Sequence, residues 1–292
     1  MISQNKYANR ADLLAQRDAA DAELNFALTG EPPYSWRTWP SNGVIEGHCQ
    51  KHGSFEQRCL RLDIPGRESL HKRSSCPDCL RQQIVDVEAT LRGDRVAELL
   101  DGARIARRFG HCELNNYEPV TPDAAANREA CLCYASSWPD CLAAGTSMVM
   151  VGSCGTGKNH LAVGMAKNII RDHQASVLIT DVMRITRSIK STWRANAERT
   201  EGEILDYYAS LDLLIIDEVG VQLGSPSELA ILQELVNIRY ESVLPTILIS
   251  NLTLEQLKAS IGERIIDRVT DGGNNLMVFN WPSYRGKRSE AA

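Results

Sequence analysis

SMVMVGSCGTGKNH, residues 147–160, is the stretch that sets the fold. Ser147 to Val151 are mostly apolar and predict a buried strand. Gly152 to Asn159 then fit G-x-x-x-x-G-K-[S/T] at every position except the last. A triphosphate needs many donors converging on it, and glycines at 152, 155 and 157 let the main chain curl so that successive N–H groups point inward. Gly152, Ser153, Cys154, Gly155, Thr156, Gly157, Lys158 and Asn159 are therefore a candidate phosphate cradle, with Lys158 carrying a positive charge to the β- and γ-phosphates. The helix predicted from Lys158 onward is apolar at Leu161, Ala162, Met165, Ala166, Ile169 and Ile170 and aims its positive end at the same anion. Asn159 stands where a hydroxyl usually ligates Mg²⁺. Its amide oxygen is also a hard ligand, direct or through a bridging water. The competing reading is a strand-to-helix turn with no ligand, and the downstream residues decide between the two.

In LDLLIIDEVG, residues 211–220, the apolar run Leu213 to Ile216 precedes Asp217 and Glu218. In a nucleoside triphosphatase of this design the first carboxylate holds the magnesium hydration shell and the second orients or deprotonates the attacking water. Both motifs open at the carboxyl edge of a parallel sheet, where ligands bind in such folds. TILIS, residues 246–250, predicts a further strand followed by Asn251, an amide placed to sense the γ-phosphate. In GERIIDRV, Arg264 and Arg268 lie one turn apart on a helix face. They either reach a neighbouring phosphate or make surface ion pairs. Strands at 147–151, 176–180, 213–216, 246–250 and 276–280 alternate with helical patterns at 181–194, 203–211, 228–241 and 254–270, which predicts an α/β fold with helices on both faces of a parallel sheet. A helix-like stretch at 123–144, with Asp123 as its N-cap, leads into the loop.

The front of the chain has a different composition. HCQKHG and SSCPDC, within 48–79, set Cys49 and His52 in a C-x-x-H pair and Cys76 and Cys79 in a C-x-x-C pair. Two such knuckles together form the S₃N tetrahedron of a structural zinc site. Cys59, His48 and His71 are reserve ligands, Cys59 as a substitute for His52. The alternative is a set of reduced, free cysteines. A short helix is expected at 11–28, followed by EPPYSWRTWP, whose Trp36 and Trp39 either dock a partner or pack on the metal module. From Leu80 to Phe109 the pattern is helical with an arginine-bearing face, and Gly93 and Gly102 suggest interruptions. The domain boundary is expected near 106/107.

With 292 residues, 43% hydrophobic and 24% charged, the chain has the composition of a globular protein with room for about one and a half average domains. A net charge of -5 excludes wholesale coating of nucleic acid, so any such contact is local. No apolar run approaches the ~20 residues of a spanning helix, and the polar, acid-containing start is unlike an export signal. A cytoplasmic protein with no membrane contact is expected. The nine cysteines are not spaced as a disulfide framework.

GSCGTGKNHLA, DLLIIDEVGVQ, GERIIDR and FNWPSYR, in that order, resemble the DnaC-like bacterial helicase loaders and their phage-borne relatives, AAA+ ATPases grouped with the IstB transposition helpers. The resemblance covers roughly residues 107–290, and it makes Asn159 a family trait. It implies a phosphate loop at Gly152 to Asn159, magnesium at Asn159 and Asp217, Glu218 as the catalytic carboxylate and Asn251 as first sensor. Arg268 would be a finger donated to an adjacent subunit and Arg285 the second sensor. DVMRITRSIKSTWR would touch single-stranded DNA, with Trp193 stacking and Lys190 and Arg194 on phosphates, unless Trp193 is simply core. The family lacks the usual C-terminal helical lid, and no room for one is expected after Asn280. The cysteine-rich front resembles the zinc-ribbon leaders of phage-type loaders. The implied function is ATP-dependent loading of a DnaB-like replicative hexameric helicase onto single-stranded DNA by a ring-like or helical homo-oligomer, with slow, DNA-stimulated hydrolysis. ATP, Mg²⁺ and Zn²⁺ are the implied ligands. A transposase helper and a non-hydrolysing zinc adaptor are the alternatives.

Overall fold

The structure, a computed structural model, describes residues 2–194, 196–221, 225–270 and 275–284. It divides into two compact units, Met1–Arg95 and Val96–Ala292. The division falls inside a helix, upstream of the 106/107 position expected from composition. The reason is local: Leu99 and Ala103 are buried in the core of the second unit, and the Ala103 carbonyl accepts from Ile179 N–H at 3.0 Å.

The first unit opens with α1 (Ile2–Thr29), whose inward residues include Phe26 and Ala27. Arg58 donates from Nε to the Ala27 carbonyl at 3.1 Å and from Nη2 to that of Leu28 at 3.0 Å, satisfying the exposed end of the helix. A three-stranded antiparallel sheet follows, in the order β1 (Ser41–Cys49), β2 (Gly53–Leu62), β3 (Leu70–Arg73). Sequence reading missed this sheet because its strands are mostly polar and only Cys59 and Leu60 of β2 are deeply buried. Lys72 of β3 places its ammonium 4.9 and 4.8 Å from the ring centroids of Trp36 and Trp39, so both indoles are committed to the module. The helix α2 (Pro77–Gly102) passes unbroken through Gly93, and only Gly102 ends it.

In the second unit, α3 (Pro122–Ser136) is capped by Thr121, whose hydroxyl accepts from Ala124 N–H. Pro122 occupies the first helical position and Asp123 the first turn, so the cap lies two residues before the expected Asp123. After α4 (Trp138–Ala144) come β4 (Met148–Gly152), α5 (Lys158–His173), β5 (Val177–Asp181), α6 (Val182–Ser191), α7 (Glu201–Ala209), β6 (Leu213–Asp217), α8 (Pro226–Glu241), β7 (Thr246–Ile249), α9 (Leu254–Ile261), α10 (Glu263–Thr270) and β8 (Leu276–Phe279). The helical pattern at 254–270 is two helices, parted at Gly262 with φ +92°.

The strands form one parallel sheet in the order β5-β6-β7-β4-β8. Their alternation assigns the two faces. Met148, Met150, Leu213, Ile215, Ile247 and Ile249 pack with α3, α4 and α5, while Val149, Val151, Leu214, Ile216 and Leu248 pack with α6 to α10. Among the described residues no helix is long and apolar enough to cross a membrane.

Candidate nucleotide and metal sites

The loop after β4, the ends of β6 and β7 and the start of α5 meet around a cavity of about 620 Å³. Lys158, Asn159, Asp217, Glu218 and Asn251 all line it, together with Cys154 to Gly157. The loop's glycines have φ of +130°, +79° and +100° at 152, 155 and 157, which side chains rarely tolerate. A Cβ on Gly152 would meet the Phe279 carbonyl oxygen at 2.2 Å, and one on Gly157 would meet the Tyr117 ring at 2.5 Å. The Lys158 ammonium, 4% exposed, donates to the carbonyls of Gly152 at 2.7 Å and Ser153 at 2.8 Å, which bends the charge over the loop.

Asn159 donates its amide N–H to Asp217 Oδ2 at 2.5 Å, and Asp217 Oδ1 accepts from Glu218 N–H at 2.7 Å. The amide oxygen of Asn159 is thereby the end not used by Asp217. These residues fit a magnesium nucleotide: an oxygen-bearing pair at the strand edge, a curled donor loop and a helix N-terminus share one cleft. Glu218 is exposed to this cleft with φ +57°, a left-handed conformation that a glutamate rarely adopts.

Two parts of the site lay beyond sequence reading. From the C-terminal side, Trp281 donates its indole N–H to the Thr156 carbonyl at 3.0 Å, Tyr284 donates its main-chain N–H to the Gly155 carbonyl at 3.0 Å, and the Tyr284 hydroxyl bonds to Glu118. From the N-terminal side, Arg108, Phe109, His111, Tyr117 and Val120 wall the cavity, and Tyr117 also donates to the Thr156 carbonyl at 3.3 Å. Burial pushes the Tyr117 phenol up to about 12, so it stays a donor.

The other expected residues lie apart from this cleft. Trp193 is 56% exposed, which removes the core reading, and its indole N–H donates to Glu201 at 2.7 Å. Arg194 is exposed beside it. Lys190 is held by Glu228 at 2.9 Å. Arg268 is absent from the cavity lining. Its guanidinium lies 5.2 Å from the Tyr240 ring centroid, with Nη1 buried and unpartnered among the described residues. Arg285 lies outside the described residues.

In the first unit, Cys49, His52, Cys76 and Cys79 bring their ligand atoms within 4.8 Å of one another. His52 Nδ1 lies 3.6 Å from the sulfurs of Cys49 and Cys76 and 3.4 Å from that of Cys79, and the sulfurs of Cys49 and Cys79 are 3.5 Å apart. Such edges belong to a tetrahedron whose centre is ~2.1–2.3 Å from each corner, the bond lengths of zinc to nitrogen and sulfur. Main-chain N–H groups of Lys51 and His52 hold the Cys49 thiol down at about 6, while hydrogen bonding with Cys49 and burial push Cys79 up to about 11. Cys59 is buried in β2, outside the group, and does not replace His52.

The profile of the family described as IstB-like ATP binding protein matches residues 70–292. The replicative helicase loader DnaC of Buchnera aphidicola subsp. Baizongia pistaciae is 35% identical over 207 residues, covering 68% of this chain and 81% of that protein. The DnaC loader of Escherichia coli K12 is 38% identical over 141 residues, covering 48% of this chain and 57% of that protein, so the match spans little more than half of the latter's length. A crystal structure of the DnaC helicase loader superposes with a TM-score of 0.54 at 21% identity, covering 60% of this chain and 99% of that one, which shows a shared fold.

Proposed function

We propose a function on the premise that this chain belongs to the family of IstB-like ATP binding proteins, the group that includes the DnaC loaders. It binds and hydrolyses ATP and uses the cycle to place a replicative hexameric helicase on single-stranded DNA. The convergence of Lys158, the Asn159–Asp217 pair, Glu218 and Asn251 on one cleft carries the reading.

Lys158, the loop N–H groups and the first turn of α5 hold the phosphates. Asn159 and Asp217 hold magnesium, which neutralises charge on the phosphates when bound. Glu218 accepts the proton of the attacking water, and Asn251 registers whether the γ-phosphate is present. The aromatic and apolar residues of 108–120 take the base. Trp193 and Arg194 contact single-stranded DNA, the indole by stacking and the guanidinium on a phosphate. Lys190 joins them only after leaving Glu228. The zinc module with the helix after it, roughly residues 1–106, is the helicase-binding part, and zinc is its structural ion. Subunits associate so that Arg268 of one reaches the nucleotide of the next.

The test is phosphate release with and without single-stranded DNA, followed by capture of a hexameric helicase from host extract on the full chain. Stimulated release with helicase capture supports the proposal. Capture of a transposase in its place identifies a transposition helper, and ATP binding without turnover leaves a nucleotide-switched zinc adaptor.

A further inference from the structure

One face of α5 is shaped to hold the segment that walls the base side of the cleft. His160, Gly164, Lys167 and Arg171 recur at i, i+4, i+7 and i+11, so they share that face. His160 donates its Nε2–H to the Glu113 carbonyl at 3.0 Å and to Asn116 Oδ1 at 2.8 Å. At Gly164 an added Cβ would lie 2.7 Å from Leu114 N, so the segment lies flush on the helix there. Lys167 donates to the carbonyls of Gly110 and Cys112 and to Glu113 Oε1 at 2.7, 2.9 and 3.0 Å, and Arg171 makes a two-pronged pair with the same carboxylate. Asn116 also accepts from Glu113 N–H and donates to the His111 carbonyl, so the segment is folded on itself around the acceptor that His160 uses.

Of these four residues, His160 alone lines the nucleotide cavity, and it directly follows Lys158 and Asn159. Its ring meets those of His111 and Tyr117 edge-on, with centroids 6.2 and 5.4 Å away. We propose that His160 is a positioning residue for nucleotide selection: it fixes the 111–117 wall to the helix that begins at the phosphate loop, so that the base and the phosphates are read at a set separation. This rests on the nucleotide reading of the cleft. A ligand made of phosphates alone touches the loop but not the wall, so it does not depend on this link.

The experiment measures binding of ATP and of inorganic tripolyphosphate, each with magnesium, to the full chain and to His160→Ala, His160→Gln and Asn116→Ala. Loss of the shared hydrogen bonds is expected to weaken ATP about tenfold relative to tripolyphosphate in His160→Ala. His160→Gln, which keeps an N–H donor, recovers most of that ratio. Asn116→Ala reproduces part of the loss, and adding it to His160→Ala brings less than the sum of the two single effects. Because each ratio is taken within one protein, a partly unfolded variant does not imitate the result. If ATP and tripolyphosphate weaken together, or neither changes, the positioning role is overturned while the site reading stands. If the unaltered chain binds neither ligand, the site reading itself fails.

Discussion

Glu218 holds a left-handed main chain beside Asp217, in a position that faces the cleft. A strained conformation at a strand end persists only where the surroundings over-determine it. Here Asp217 accepts from its N–H, and Val219 is fully buried with its N–H bonded to Ile249 O at 2.9 Å. Glu218→Gln keeps the shape of the side chain but removes the proposed base. It should lower turnover by about 10² or more while ATP affinity is held, a split that phosphate-release and binding assays read separately. Asn159→Leu removes the tie to Asp217 and the proposed oxygen ligand together. It should raise the magnesium concentration needed for half-maximal turnover by roughly 10–100-fold, with Asn159→Thr near the unaltered value. An unchanged magnesium requirement in the leucine variant would remove Asn159 from the metal site. That both residues face one cleft was legible because the loop and the strand-end carboxylates are contiguous motifs. The direction in which the Asn159 amide turns was not, because its partner belongs to a different strand.

At the scale of elements, the helices and strands of the second unit were legible from periodicity, since each buries an apolar face against one parallel sheet. The wall at 107–120 was not. It has no periodicity of its own, and its partners are side chains of α5 far along the chain. In hindsight the signal was polar and charged residues at helical spacing on a helix otherwise buried. Burial holds His160 below its ordinary 6.5, with His111 and Lys167 acting in the same direction against Glu113. A histidine depressed in the folded state contributes stability above pH 6.5. As pH falls through 6.5 the unfolded chain takes up a proton that the folded ring refuses, and this contribution declines. The melting temperature should therefore fall more between pH 7.5 and 5.5 for the unaltered chain than for His160→Gln, and equal slopes would contradict that assignment. In the first unit, the two knuckles were legible but the sheet between them was not, because metal-ligating and polar residues displace the apolar alternation by which strands are recognised. Chelation, or Cys76→Ala with Cys79→Ala, should release the metal and unfold β1 to β3. Metal analysis and the reactivity of Cys49 toward a thiol reagent would show both events. A chain that holds no zinc, with its thiols already reactive, would leave those cysteines as ordinary free ones.

At the scale of the whole molecule, the groups proposed for hydrolysis, Lys158, Asn159, Asp217, Glu218 and Asn251, line one cleft, and among the described residues the proposed finger arginine does not join them. Arg268 does not line the cleft of its own chain. It lies on α10 against the Tyr240 ring, with one guanidinium nitrogen buried and unpartnered among the described residues. A buried, unsatisfied guanidinium nitrogen costs stability unless another state of the molecule uses it. The proposed head-to-tail assembly would supply such a state, since that kind of interface puts different surfaces of identical chains in contact. If Arg268 completes the adjoining site, then Arg268→Ala and Lys158→Ala are each inactive alone but defective on opposite sides of an interface. Mixed in equal amounts, about one interface in four joins an intact Lys158 to an intact Arg268, so the mixture should recover up to roughly a quarter of the unaltered turnover. Dilution below the assembly concentration should abolish that recovery. An Arg268 that only packs on Tyr240 predicts no recovery at any ratio, and it predicts that Arg268→Met, which keeps the packing, turns over as the unaltered chain does.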